Sequence, residues 1–170
     1  VSDPAGEVDD CSEPVEAAQF YVLDGALVDD PEEHFWQELS EGLPHQIRVG
    51  GARQAGEFVR EIAAEIRQRG DSEDAPPVFL IIDNLGRFRD LRKDDDDFSF
   101  GGDRNRAATP ARMFIDILKN GPSVGVHTVI WADTFNNAGR WMTSQTMREL
   151  ELRVAFQMSA PDSSNFIETP

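Results

Sequence analysis

The sequence predicts an α/β protein with a mainly parallel β-sheet and helices on both faces. Three observations lead there. Val78-Phe79-Leu80-Ile81-Ile82 is an unbroken apolar run that follows Pro76-Pro77 and ends in Asp83. A short run with such borders reads as a strand buried on both faces, the kind that sits in the middle of a helix-covered parallel sheet. Ala52 to Arg69 carries Phe58, Ile62 and Ile66 at four-residue spacing, with Val59 and Ala63 beside them, which is the apolar stripe of an amphipathic helix. A helix between two buried strands is a βαβ crossover. Finally, three apolar runs end in acids, at Asp24, Asp83 and Asp133. Open α/β sheets bind ligands outside the carboxyl ends of their strands, so these carboxylates fall on the functional edge.

The elements follow in order. Residues 1–18 are polar, acidic and without apolar period, and read as a tail or linker. Residues 19–170 form the domain. Gln19 to Asp24 is a strand. Gly25 to Glu41 is acidic, with Phe35 and Trp36 as its large apolar anchors, and Gln46 to Val49 is a short strand. The Ala52 to Arg69 helix closes on Arg67, Arg69 and Gly70, residues that suit a helix carboxyl end. After the central strand, Lys93 to Asp103 contains four adjacent acids, Asp94 to Asp97. Like charges at that density resist packing, so a mobile loop is expected. A calcium site is the sharper alternative, but the spacing is not that of an EF-hand.

Thr109-Pro110 gives a helix N-cap and a proline at the first helical position. Met113, Phe114, Ile117 and Leu118 form that helix's stripe, and Gly121-Pro122 stops it. His127 to Ala132 is a further buried-type strand. A polar helix is expected over Ser144 to Glu151, a strand over Leu152 to Met158, and a helix start at Pro161-Asp162-Ser163-Ser164.

With 170 residues the chain is long enough for one domain with a proper core. Its net charge of -16 is unevenly spread: residues 1–47 hold 13 of the 32 acids and none of the 16 bases. The rest is only mildly acidic, and no basic nucleic-acid face is visible in the composition. The single cysteine, Cys11, cannot form an internal disulfide and argues for a reducing, cytoplasmic setting. No apolar run approaches the roughly 20 residues that span a bilayer. The chain opens on Val1 and reads as a piece of a longer protein.

Several segments, taken in this order, resemble the motor domain of FtsK/SpoIIIE-type DNA translocases and the related ATPase domains of type VII secretion. They are PVFLIID at 77–83, GPSVGVHTVIWAD at 121–133 and RVAFQMSAPDSS at 153–164. An early strand ending in an acid, the Pro44-His45 pair, and a helix carrying Glu65 and Arg69 fit as well. The resemblance covers roughly residues 19 to 167. It implies a RecA-like P-loop NTPase core, incomplete here, with ATP and Mg²⁺ in the whole parent domain. It further implies a homo-oligomeric ring, the family's hexamer, double-stranded DNA as the cargo, and other ATPase domains of the same chain as neighbours.

On that resemblance Asp83 is the Walker-B aspartate that holds Mg²⁺ through water. The residue reading alone leaves Asp83 equally a cap of the following turn. The resemblance places Asn84 where the catalytic Glu usually stands, and Asp133 where a Gln senses the γ-phosphate. It leaves Arg153 as a nucleotide-binding arginine near a subunit boundary, or as a surface charge at a strand end. An amide cannot accept a proton as a general base. No GxxxxGK(S/T) phosphate loop occurs in the 170 residues, so it is expected upstream of Val1, and neither ATP nor Mg²⁺ is expected to be bound by these residues alone. Two functions compete: a working motor, and a degenerate ATPase-like module used for assembly in a translocation or secretion complex. An unrelated α/β enzyme with catalytic Asp83 is a third. His34 and His45 lack partners at ligand spacing. His127 reads as a core or boundary histidine, and Trp36 and Trp141 read as packing residues.

Overall fold

The computed structural model describes residues 18–27, 34–70, 75–93 and 109–167. The expected acidic tail, except Ala18, and residues 94–103 of the expected acidic loop lie outside the described residues. Lys93, placed in that loop by its sequence, is docked. Its backbone N–H donates to the Trp141 carbonyl at 3.3 Å and its ammonium to the Gly139 carbonyl at 3.0 Å.

Four strands pair in parallel: β1 (Gln19–Leu23), β2 (Gln46–Gly50), β3 (Val78–Ile82) and β4 (Val126–Ile130), in the order β2-β1-β3-β4. Gln19 lies opposite both Gln46 and Val78, and Val78 opposite Val126. Helix α1 (Phe35–Gly42) lies between β1 and β2, α2 (Ala55–Arg69) between β2 and β3, and α3 (Pro110–Asn120) between β3 and β4. Three short helices follow, α4 (Phe135–Trp141), α5 (Ser144–Arg148) and α6 (Ala160–Ile167). This is an α/β fold on a parallel sheet. No described helix is long and apolar enough to cross a membrane.

Connection handedness explains which face is covered. The steps from β2 to β3 and from β3 to β4 run the same way across the sheet, so right-handed crossovers place α2 and α3 on one face. Phe58, Val59 and Ile62 of α2 and Phe114 and Ile117 of α3 share a core with Tyr21, Leu23, Val78, Leu80, Ile82 and Val126. Arg48 pairs with Glu61 and stacks over the Tyr21 and Phe58 rings, closing the rim of that core. The step from β1 to β2 runs the opposite way and sends α1 to the other side, where none of its residues is buried.

The expectation of strands buried on both faces is therefore half met. Val78, Leu80 and Ile82 are fully buried, while Phe79 and Ile81 on the other face of β3 are only partly so. On β4, His127 is exposed rather than at a buried boundary, and Val129 is 56% exposed. Across this face the rings of His45, Phe20, Phe79 and His127 meet in sequence, at 5.6, 5.1 and 5.5 Å between centroids.

The strand expected over Leu152 to Met158 is not formed: the segment carries no ladder, and Leu152 and Phe156 are 86% and 78% exposed. An alternating pattern makes a strand only beside a neighbour that supplies ladder bonds, and this segment bonds to no strand among the described residues. Helices α1 and α4 were not visible in the sequence pattern. Thr109 and Thr134 cap α3 and α4 by accepting from the backbone N–H groups of Arg112 and Asn137. Gly121 keeps right-handed helical backbone, and the chain turns instead at Gly125, whose φ of 75° favours glycine.

Arg69 ties the amino ends of two strands together. It is 8% exposed, and its guanidinium donates to the Pro76 carbonyl at 2.7 Å, the Val124 carbonyl at 2.9 Å and the Glu65 carboxylate at 2.6 Å. Pro76 leads into β3 and Val124 into β4. Replacing Arg69 by Met leaves two carbonyls and a carboxylate without their donor, and should lower unfolding free energy by about 2–4 kcal/mol in urea titration. Arg69→Lys should recover only part of this, because an ammonium cannot span the three acceptors as a planar fork does.

Candidate functional site

The order β2-β1-β3-β4 places a topological switch point between β1 and β3, because the chain leaves β1 in one direction and reaches β3 and β4 in the other. The crevice outside the carboxyl ends of those two strands is where such sheets take ligands. Asp24 follows β1 and Asp83 follows β3. Hydrogen bonds continue past the strand ends: Asp83 N–H donates to Leu23, Asp24 N–H to Gly50 and Trp131 N–H to Ile82, each at 2.9 Å. The two strand exits stand so close that a Cβ on Gly25 would lie 2.2 Å from the Asp83 carbonyl oxygen and 2.9 Å from Asn84 Cβ. Only glycine fits there.

The alternation of β3 carries Asp83 to the side away from α2 and α3, where α1 lies. There the indole Nε1–H of Trp36 donates to Asp83 Oδ2 at 2.7 Å. Trp36 is thus a partner of the central acid, not a plain packing residue. Sequence reasoning missed it because 47 residues separate the two, and no local pattern links them. Trp141 does pack as expected: it is buried, with its indole donating to the Phe88 carbonyl at 2.8 Å.

Asn84 has φ 61° and ψ 72°, the left-handed region, and is the one non-glycine residue with positive φ among the described residues. Asparagine tolerates this backbone better than most residues. Its neighbour Leu85 donates to the Trp131 carbonyl at 2.9 Å, which ties the exit of β3 to the exit of β4. Asp133 lies two residues beyond that tie. It is exposed, and both carboxylate oxygens accept from Asn137 Nδ2, at 2.7 and 2.9 Å, ahead of the first turn of α4. Asp24 is bonded locally too, its Oδ1 accepting from Ala26 N–H at 2.9 Å.

Arg153 is turned inward. Its guanidinium donates to the carbonyls of Leu150, Phe166 and Met147 at 3.1, 2.9 and 3.0 Å, joining the end of α5 to α6. Of the four residues singled out on the sequence, Asp83 and Asn84 therefore stand at the switch point. Asp133 borders the same edge from the β4 side, and Arg153 serves the C-terminal helices.

Asp83 can offer a hard oxygen. Oδ2 holds Trp36, while Oδ1 carries no hydrogen bond among the described residues, which fits a water-mediated contact to Mg²⁺. Asp83 is the residue that would hold the ion, and the ion would supply charge stabilisation for bound phosphate. Among the described residues no three His, Cys, Asp or Glu side chains gather in one place. Beside Asp83 stands an amide, which orients water but does not take its proton.

Gly25→Ala should force the β1 and β3 exits apart and cost about 2–4 kcal/mol in unfolding free energy, with loss of the Trp36–Asp83 bond visible in the indole N–H resonance. Asn84→Gly should be neutral or slightly stabilising, and Asn84→Val should cost more than about 1 kcal/mol, since a branched residue resists positive φ. Chemical denaturation of the three variants checks both expectations. No protein-family model, curated protein or solved structure matches this chain.

Proposed function

We propose that this chain is an ATPase-like assembly module of the FtsK/SpoIIIE type. In this reading it is a RecA-like sheet that keeps the metal-facing aspartate and has lost the hydrolytic group beside it. The observation that carries this reading is the exit of β3: Asp83 lies in the switch-point crevice with one carboxylate oxygen that carries no hydrogen bond among the described residues, and the next side chain is an amide on a left-handed backbone. A general base at that place typically contributes about 10²- to 10⁴-fold in rate, and Asn84 cannot act as one.

Two further observations support it. The guanidinium of Arg153 is engaged by three backbone carbonyls within its own C-terminal segment, so it is not free to reach a nucleotide at Asp83 without breaking them. Leu152, Val154 and Phe156 are exposed at alternating positions, and exposed apolar strips of this kind mark surfaces for protein partners. The partners in this reading are other ATPase domains in a cytoplasmic ring. Phosphate binding would depend on a cradle that these 170 residues do not contain, since they have no GxxxxGK(S/T) sequence.

The competing reading, a working DNA-translocating motor, would keep Asp83 in the same role and take its water-activating group from another subunit. ATP turnover by the longer protein that supplies the phosphate loop in this reading separates the two. With Mg-ATP it should show no turnover above that of its Asp83→Ala variant. Turnover that disappears with Asp83→Ala would overturn the assembly reading.

A further inference from the structure

Helix α1 packs against β2 without burying a residue fully, and one hydrogen bond ties it to the rest of the sheet. It is the connection from β1 to β2, it has no buried residue, and its N-cap residue His34 makes no side-chain cap bond. The hydrogen bonds of Ser40 and Gln37 stay within the helix. Phe35 is 52% exposed and meets Trp36 edge-on, with ring centroids 5.2 Å apart. Among the described residues, the one hydrogen bond from α1 to another element is Trp36 Nε1 to Asp83 Oδ2, at 2.7 Å. A bond from a neutral donor to a carboxylate is short and strong, and it sits over the switch-point crevice.

We infer that α1 is a strap latched across the carboxyl edge of the sheet by Trp36, with the carboxylate of Asp83 as its catch. The strap reports the state of that carboxylate. While Asp83 is unoccupied, the indole holds α1 against the β3 exit. A divalent cation that enters at Oδ1 and whose hydration shell also takes Oδ2 competes with the indole and frees α1. The latch itself follows from the geometry of Trp36 and Asp83. Its release by a cation rests on the proposed Mg²⁺ role of Asp83.

The two parts have separate tests on the same 170-residue chain. Chymotrypsin cleaves after exposed aromatic and leucine residues, and α1 offers Phe35, Trp36 and Leu39. Asp83→Ala and Trp36→Phe should each speed cleavage in α1 by about tenfold, because local opening no longer breaks a charge-assisted bond. Far-UV circular dichroism and the melting transition should remain those of the native chain, showing that the sheet is intact. In Asp83→Ala the Trp36 indole N–H resonance, assigned by its loss in Trp36→Phe, should move upfield and exchange faster with water. If both variants are cleaved at the native rate and the indole resonance does not move, the latch is overturned.

The cation arm uses MgCl₂ against NaCl of equal ionic strength. Magnesium should speed cleavage of the native chain and leave Trp36→Phe, already unlatched, unchanged. If the two variants behave as expected but magnesium has no effect on the native chain, the latch stands. Release by the cation is then overturned; the reading of Asp83 as a magnesium ligand falls separately, if Asp83→Ala leaves Mg-ATP binding by the whole parent domain unchanged.

Discussion

The parallel pairing of β1 with β3 is the constraint on which the rest depends. Parallel neighbours cannot be joined by a tight turn, so each connection must cross a face of the sheet. The connection from β1 leaves to one side, towards β2, and the later ones go to the other. Right-handed crossovers then gather α2 and α3 on one face, where they build the core with Leu80, Ile82 and Leu23. The same pairing brings Gly25 against Asp83 and creates the crevice at the strand exits.

The other face of the sheet is the consequence of that division. Phe20, Phe79 and the two flanking histidines form a row of touching rings without a helix layer as deep as the one opposite. Helix α1 falls on this side by handedness, but it is short and buries nothing of its own. It packs against β2 through half-buried residues, and a hydrogen bond at the edge ties it to Asp83. The buried side carries the apolar free energy, and the carboxyl edge carries Asp24, Asp83 and Asn84.

The site shows how three polar residues with similar sequence contexts come to differ. Asp24, Asp83 and Asp133 each follow an apolar run. Asp24 is satisfied by a backbone N–H two residues away, and Asp133 by Asn137 one helical turn away. Asp83 takes its partner from a distant helix, and its other oxygen has none among the described residues. Local bonds of the first two kinds follow from short-range chemistry. The third requires the folded sheet.

Local pattern was enough for the central run Val78–Ile82, the stripe on Ala55–Arg69, the Thr109-Pro110 start of α3 and the acids at the strand exits. Each of these rests on a period or a cap that neighbouring residues set among themselves. Pattern was not enough where a neighbour in space decides. Whether Leu152 to Met158 is a strand depends on a partner that supplies its ladder. Whether β4 is covered on both faces depends on where the crossovers go, and His127 came out exposed. Arg153 reads as a charge at a strand end, yet it is held by carbonyls of Met147, Leu150 and Phe166. Trp36 reads as an apolar anchor, and only the path of the chain from β1 to β2 brings its indole to Asp83. Contacts between residues far apart in the chain form when the sheet closes, and no period in the sequence encodes them.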